Sequence, residues 1–92
     1  MGEVALSGWI AIPPEEEARI LPLLDEHVRL TRAEPGCLAF SVTRGGEGRF
    51  EVAERFRDRA AFDAHQERAG ASGWRAATRH LQRNYRIEEV EP

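Results

Sequence analysis

With 92 residues, 32% of them charged and of both signs, and a net charge of −3, the chain forms a single domain, residues 1–92, able to bury roughly 60–65% of its unfolded surface but with no room for a second core. No polybasic stretch supplies a footprint for nucleic acid or anionic lipid, so neither is an expected partner. The longest mainly apolar run, "VALSGWIAI", is too short to cross a bilayer and lacks the flanks of a signal peptide, which points to the cytoplasm.

In chain order, Val4 to Ile12 alternates: Leu6, Gly8, Ile10 and Ile12 share one phase, and Ala5, Ser7, Trp9 and Ala11 the other. That alternation predicts a strand. Pro13 and Pro14 open the next segment, Glu15 to Glu17 fill a first turn, and Ala18, Leu21, Leu24, Val28 and Thr31 follow at helical spacing. A helix is expected, distorted near Pro22. "EPG" at Glu34 to Gly36 stops it, and two runs, Cys37 to Arg44 and Arg49 to Phe56, flank "GGEG" as a hairpin. Asp58 is placed to cap a second helix whose apolar face carries Ala61, Phe62, His65 and Ala69. Gly70 and Gly73 interrupt it, and Ser72 can cap a short helix with an inner stripe of Trp74, Ala77, Thr78 and Leu81. Tyr85 to Glu91 closes the chain as a strand. The lone cysteine, Cys37, has no disulfide or metal-site companion and reads as a small buried or interface residue.

The order βαββαβ predicts an α+β, ferredoxin-like domain: a four-stranded antiparallel sheet with helices on one face. The opposite face would carry Ala5, Ser7, Trp9, Ala11, Ala39, Ser41 and Ala53, which, with Arg55 and Glu51 as exceptions, is small and apolar for a surface facing water. A homodimer joined through that face is the economical reading.

Two inward positions are anomalous. Phe50, Val52 and Phe56 alternate as core residues, yet Glu54 shares their phase, and His65 lies on the buried face of the next helix. Glu54 is either a functional carboxylate facing a pocket or a charge paired with an arginine or a backbone group, because an unpartnered buried carboxylate is costly. His65 is the best candidate general base, its ordinary pKa lying close to neutrality; the alternative is a structural histidine bonded to Glu54 or to a backbone carbonyl. Glu54 is expected to fix the tautomer of His65 and to turn its other nitrogen into a cavity near Gly8. His27 borders the first helix's apolar stripe and either lines the same pocket or edges toward solvent. Phe40, Phe62 and Trp74 are candidate aromatic walls, though such residues are more often core. Gly8, in a strand interior, leaves a gap for a ligand or for a close helix contact.

"RLTRAEPGCLAFSV" from Arg29 to Val42 and "FEVAERFRDRAAFDAHQ" from Phe50 to Gln66, together with the element order, resemble the antibiotic biosynthesis monooxygenase family of dimeric α/β-barrel proteins, from about Leu6 to Val90. The resemblance implies small cytoplasmic homodimers with a pocket in each subunit between sheet and helices. It includes oxygenases of phenols and quinols that use neither metal nor flavin, and haem-degrading members. The latter rely on a first-strand asparagine, a second-helix tryptophan and an iron-ligating histidine; the corresponding positions here hold Ser7 or Gly8, His65 and Thr78, so haem degradation is not expected. Where many members carry a "PHF"-like stretch, this chain has "ASGW" at Ala71 to Trp74, so only the aromatic has a counterpart. The expected function is cofactor-independent monooxygenation of a small aromatic phenol, quinol or anthrone with dioxygen, with no metal or other cofactor. A small-molecule-binding protein without turnover is the alternative.

Overall fold

The computed structural model describes residues 2–90. Strand β1 (Glu3–Ala11) leads through a 3-10 turn (Pro14–Glu16) into helix α1 (Glu17–Arg32), followed by β2 (Cys37–Arg44), β3 (Arg49–Phe56), α2 (Arg59–Gly70), α3 (Gly73–Thr78) and β4 (Arg83–Val90). The sheet is antiparallel throughout, in the order β2-β3-β1-β4. This is the predicted ferredoxin-like plan.

Local chemistry accounts for the boundaries. The Asp58 side chain accepts from the Ala61 backbone N–H at 2.8 Å and starts α2, while Ser72 accepts from Arg75 N at 3.1 Å and starts α3. Each satisfies one of the donors a helix leaves unpaired at its first turn. The buried face of α2 is Ala61, Phe62, His65 and Ala69, as its spacing predicts. Helix α1 differs. Its buried residues are Ile20, Leu24, His27 and Thr31, while Ala18 is exposed and Leu21 and Val28 are half-buried. Rotating the helix this way puts Ile20 in the core and carries His27 from the stripe's edge to its centre.

Register then aligns the inward side chains in rows. Phe40 pairs with Glu54 and Glu54 with Leu6; in the next row Val42 pairs with Val52, Val52 with Gly8 and Gly8 with Tyr85. Val4, Ile10, Ile12, Phe50 and Phe56 complete the buried sheet surface, and α2 covers β1 and β3 while α1 covers β2. On the outer face, Ser7, Ala39, Ser41 and Ala53 are exposed, Arg55 bonds Glu3 at 2.7 Å, and the Arg49 guanidinium lies 4.0 Å over the Trp9 ring. Cys37 is half-buried at the core's margin. No helix among the described residues is long and apolar enough to cross a membrane.

Gly8 admits the edge strand. A Cβ there would lie 2.0 Å from the Asn84 carbonyl oxygen and 2.9 Å from the Tyr85 ring, and backbone cannot give way as a flexible side chain can. Gly70, at the end of α2, has open space around it. Gly8→Ala is therefore expected to lower the urea midpoint sharply or prevent folding, whereas Gly70→Ala is neutral or stabilises by up to about 1 kcal/mol. Equal midpoints for the two variants would contradict this account of Gly8.

Candidate active site

Between the two inward rows of the sheet and the three helices lies a cavity of about 70 Å³. Phe40, Val52 and Tyr85 form its floor, Leu24, Ala69 and Trp74 contribute to its roof, and Gln66 and Arg75 stand at its exposed margin. The most deeply buried titratable side chains that line it are His27, Glu54 and His65, which are 6%, 8% and 2% exposed; Arg75, Arg83 and Tyr85 line it as well.

His65 is held through one nitrogen. Its Nδ1 lies 2.9 Å from Oε1 of Glu34, and Arg68, one helical turn further along α2, donates through Nε to the other oxygen of that carboxylate. The Arg68 Nη2 also donates to Thr31 Oγ1 at 2.9 Å, and the Thr31 hydroxyl donates to the His27 carbonyl at 2.7 Å. A carboxylate engaged with arginine can only accept, so Nδ1 carries the proton and Nε2 presents a lone pair. That Nε2 lies 3.7 Å from Glu54 Oε1. Burial lowers the His65 pKa, the Glu34 hydrogen bond and charge pull it back up, and Arg68 pushes it down; the net direction is downward. At neutral pH the ring is a neutral base.

The expectation that Glu54 fixes the His65 tautomer is corrected here: that role falls to Glu34. The two side chains do face one another, but 3.7 Å exceeds a hydrogen bond. Glu34 lies in "EPG", which reads in sequence only as a helix stop. Folding turns it inward because Gly36, with φ 86, nests against α2, where a Cβ would come 2.6 Å from the Ala61 Cβ. The Arg57 N–H, donating to the Gly36 carbonyl at 2.8 Å, ties the same loop to the end of β3. Only a residue without a side chain allows this approach, which brings the Glu34 carboxylate within 2.9 Å of His65 Nδ1.

Glu54 and His27 share another property. Among the described residues, the buried side-chain polar atoms without a hydrogen-bond partner are Glu54 Oε1 and His27 Nδ1, and both residues line the cavity. Folded proteins rarely leave such atoms unpaired, so two beside one cavity mark it as a place for a polar ligand atom. Burial, reinforced by the Glu34 charge, pushes Glu54 up to about 7. Burial, with the His65 and Arg68 charges, pushes His27 down to about 4. The His27 ring stacks on Trp74 (centroids 5.5 Å apart, interplanar angle 13°) and meets Phe40 edge-on at 5.5 Å. Beyond that stack lies an open groove of about 350 Å³ that His27 and Trp74 also line. The two rings are thus the wall between cavity and surface.

Of the residues singled out in sequence, His65, Glu54, His27, Phe40 and Trp74 meet at this cavity. Gly8 and Phe62 are not among its lining: the gap over Gly8 is occupied by Tyr85, and Phe62 packs edge-on against Phe56 at 5.9 Å. Sequence reasoning missed Glu34, Arg68, Arg83 and Tyr85, whose approach depends on loop and edge-strand placement. Burial raises the Tyr85 pKa and lowers that of Arg83. Among the described residues no three His, Cys, Asp or Glu side chains gather to hold a metal ion.

The two shifted groups act oppositely on stability. Glu54 keeps a proton in the fold that the unfolded chain releases between its ordinary 4.5 and about 7, so its contribution falls as pH rises through that window. His27 stays neutral in the fold while the unfolded chain protonates between 6.5 and about 4, so its contribution rises with pH there. Urea midpoints of Glu54→Gln should therefore climb more steeply with pH than those of the native chain, and those of His27→Leu less steeply. Parallel pH curves for all three proteins would show that neither group is shifted by the fold.

The family model for antibiotic biosynthesis monooxygenase matches residues 4–77. The chain is similar to a solved antibiotic biosynthesis monooxygenase (27% identity over 97% of each chain, TM-score 0.74) and to the NE2512 protein of unknown function from Nitrosomonas europaea (26% identity, 98% of this chain and 90% of that chain, TM-score 0.72). It shares its fold with Rv0793 from Mycobacterium tuberculosis (24% identity, 98% of this chain and 96% of that chain, TM-score 0.83). No curated protein matches it. A family match across most of the chain, on a fold that gathers the same segments around one cavity, establishes that this protein belongs to the antibiotic biosynthesis monooxygenase family.

Proposed function

We propose that this protein is a cofactor-independent monooxygenase of small aromatic phenols, quinols or anthrone-like compounds, with His65 Nε2 as the base. The observation that carries the reading is the buried imidazole: Nδ1 is held by Glu34 and Nε2 is directed to a cavity with aromatic walls. Nε2 removes a proton from the activated carbon or hydroxyl, and the resulting anion passes one electron to dioxygen. Recombination of the radical pair forms a C–O bond. At an anthrone-type methylene, loss of the second C–H proton then forms the carbonyl as the O–O bond breaks, and the departing oxygen takes two protons to leave as water. The carbon supplies all four electrons, so the step needs no external reductant. The chain's part is to position the base and exclude water.

A ring does not fit the cavity as it stands. Its 70 Å³ is about half the ~150 Å³ of a cavity known to admit benzene. Binding requires the Trp74 wall to yield toward the outer groove, a motion open to a six-residue helix such as α3. The second reading is a small-molecule binder without turnover, which the same cavity would serve.

Aerobic incubation with a panel of quinols and anthrones, followed by oxygen uptake, separates the two. Under the first reading His65→Gln lowers the rate about 10²- to 10⁴-fold while the melting temperature changes little. Full turnover in that variant would remove His65 from the chemistry, and no oxygen uptake from any of the panel would favour the binder. Metal content measured on active protein should be substoichiometric, and loss of activity on chelation would overturn the metal-free reading.

The proposal extends to a cytoplasmic homodimer formed through the outer sheet face, where Ser7, Ala39, Ser41 and Ala53 are exposed. Small side chains at these positions permit two sheets to approach closely, with Glu3, Arg49, Glu51 and Arg55 around them on the same face. Light scattering at micromolar concentration should give twice the 10.4 kDa chain mass; the mass of a single chain would refute the dimer.

A further inference from the structure

We propose that Glu54 and His65 together seat one oxygen of the ligand, so that the cavity selects molecules carrying an acidic hydroxyl, a phenol or an enol, and binds them as the oxyanion. This deepens the reading of His65 as the cavity base and rests on it.

The separation of the two groups is the first argument. At 3.7 Å, Nε2 and Glu54 Oε1 do not bond each other, yet one oxygen beside them can lie at hydrogen-bond distance from both, with an angle of about 85° at that oxygen. Their roles are complementary. Nε2 accepts, because Nδ1–H is committed to Glu34. Glu54 donates only as the neutral acid, and its surroundings favour that form. Among the described residues no cation is bonded to it: β1 offers Leu6 and β2 offers Phe40 in its own row. α1 presents neutral His27, α2 presents His65, and β4 adds Tyr85; Arg83 of β4 donates to the Thr78 carbonyl, Arg75 of α3 is exposed, and Arg68 is bound to Glu34. The nearby Glu34 charge opposes a second anion, and the Glu54 value of about 7 agrees.

The charges then balance. A hydroxyl that donates to Nε2 and accepts from Glu54 passes its proton to the imidazole. The new imidazolium is neutralised by Glu34, Arg68 stays paired with that carboxylate, and the ligand oxyanion keeps the Glu54 hydrogen bond while paired with the imidazolium. An ionised Glu54 would instead repel the oxyanion. Binding therefore weakens as pH rises through about 7.

An anaerobic absorbance titration with 4-nitrophenol, whose ionised form is yellow, tests this without turnover. At about pH 6, below the value for Glu54, the native protein should bind the probe and turn it yellow. Glu54→Leu should bind on the order of 10-fold more weakly or worse, having lost a hydrogen bond to a charged group. Glu54→Gln, whose amide N–H still donates, should bind within a few-fold of the native protein and show a shallower decline above about pH 7, keeping only the part that comes from ionisation of the free probe. Should the leucine variant not fold, the glutamine variant decides alone. Native affinity in Glu54→Leu, an unchanged pH decline in Glu54→Gln, or a probe that stays colourless would each overturn the proposal, the last meaning that the two groups bridge only water. A protein that ionises the probe but consumes no oxygen keeps this inference and defeats only the monooxygenase reading.

Discussion

The carboxylate of Glu34 holds the Nδ1 proton of His65 on one oxygen and the guanidinium of Arg68 on the other, and the cavity's chemistry depends on that clamp. A histidine buried in a core normally satisfies both nitrogens or pairs with whatever lies nearest. Here one nitrogen is committed to a partner that can only accept, so the other is left as an acceptor facing the cavity. Arg68 bonds Thr31, and Thr31 bonds the His27 backbone, so the loop after α1, helix α2 and the middle of α1 are locked together around one imidazole. The arrangement also explains how a carboxylate tolerates this depth: it is paired with a cation on one side and receives an N–H on the other.

The second carboxylate has the opposite environment. Glu54 sits in a row between Phe40 and Leu6 with no cation among the described residues bonded to it, and burial keeps its proton on to about neutral pH. Two glutamates near one histidine, one paired and one isolated, differ by environment rather than by residue type, and only the paired one hydrogen-bonds the ring. His27, pushed to about 4, is neutral at neutral pH. Its ring serves as a stacking surface for Trp74, and its unpaired Nδ1 adds a polar atom to an otherwise apolar wall.

Strand β3 makes both faces of the sheet at once. Val52 and Glu54 point to the cavity while Ala53 and Arg55 point away, so a one-residue slip against β1 would exchange a carboxylate for an alanine. The register is fixed by the apolar set, Phe50, Val52 and Phe56, which cannot face water without losing the core. The hydrophobic pattern that folds the chain therefore also aims a carboxyl group inward and leaves Arg49, Glu51, Ala53 and Arg55 on the opposite face.

Much of this was legible from local patterns. Alternation identifies the strands, capping side chains at Asp58 and Ser72 identify the starts of two helices, and shared phase places Glu54 and His65 inward, because each depends on spacing within a few residues. The face of α1 was less legible: Ile20 and His27 compete with Ala18, Leu21 and Val28 for the stripe, and only packing against β2 and α3 decides the rotation. Glu34 could not be assigned from its neighbours, since its partners are 31 and 34 residues away and meet it only after Gly36 lets the loop nest on α2. Gly8 announced a gap, but the edge strand that closes it comes from the far end of the chain. The sequence by itself determined the elements, the fold class and the inward direction of two reactive groups; tertiary structure alone decided which carboxylate holds the histidine and which remains unpaired, because hydrogen bonding and desolvation depend on the few ångströms between segments that are distant along the chain.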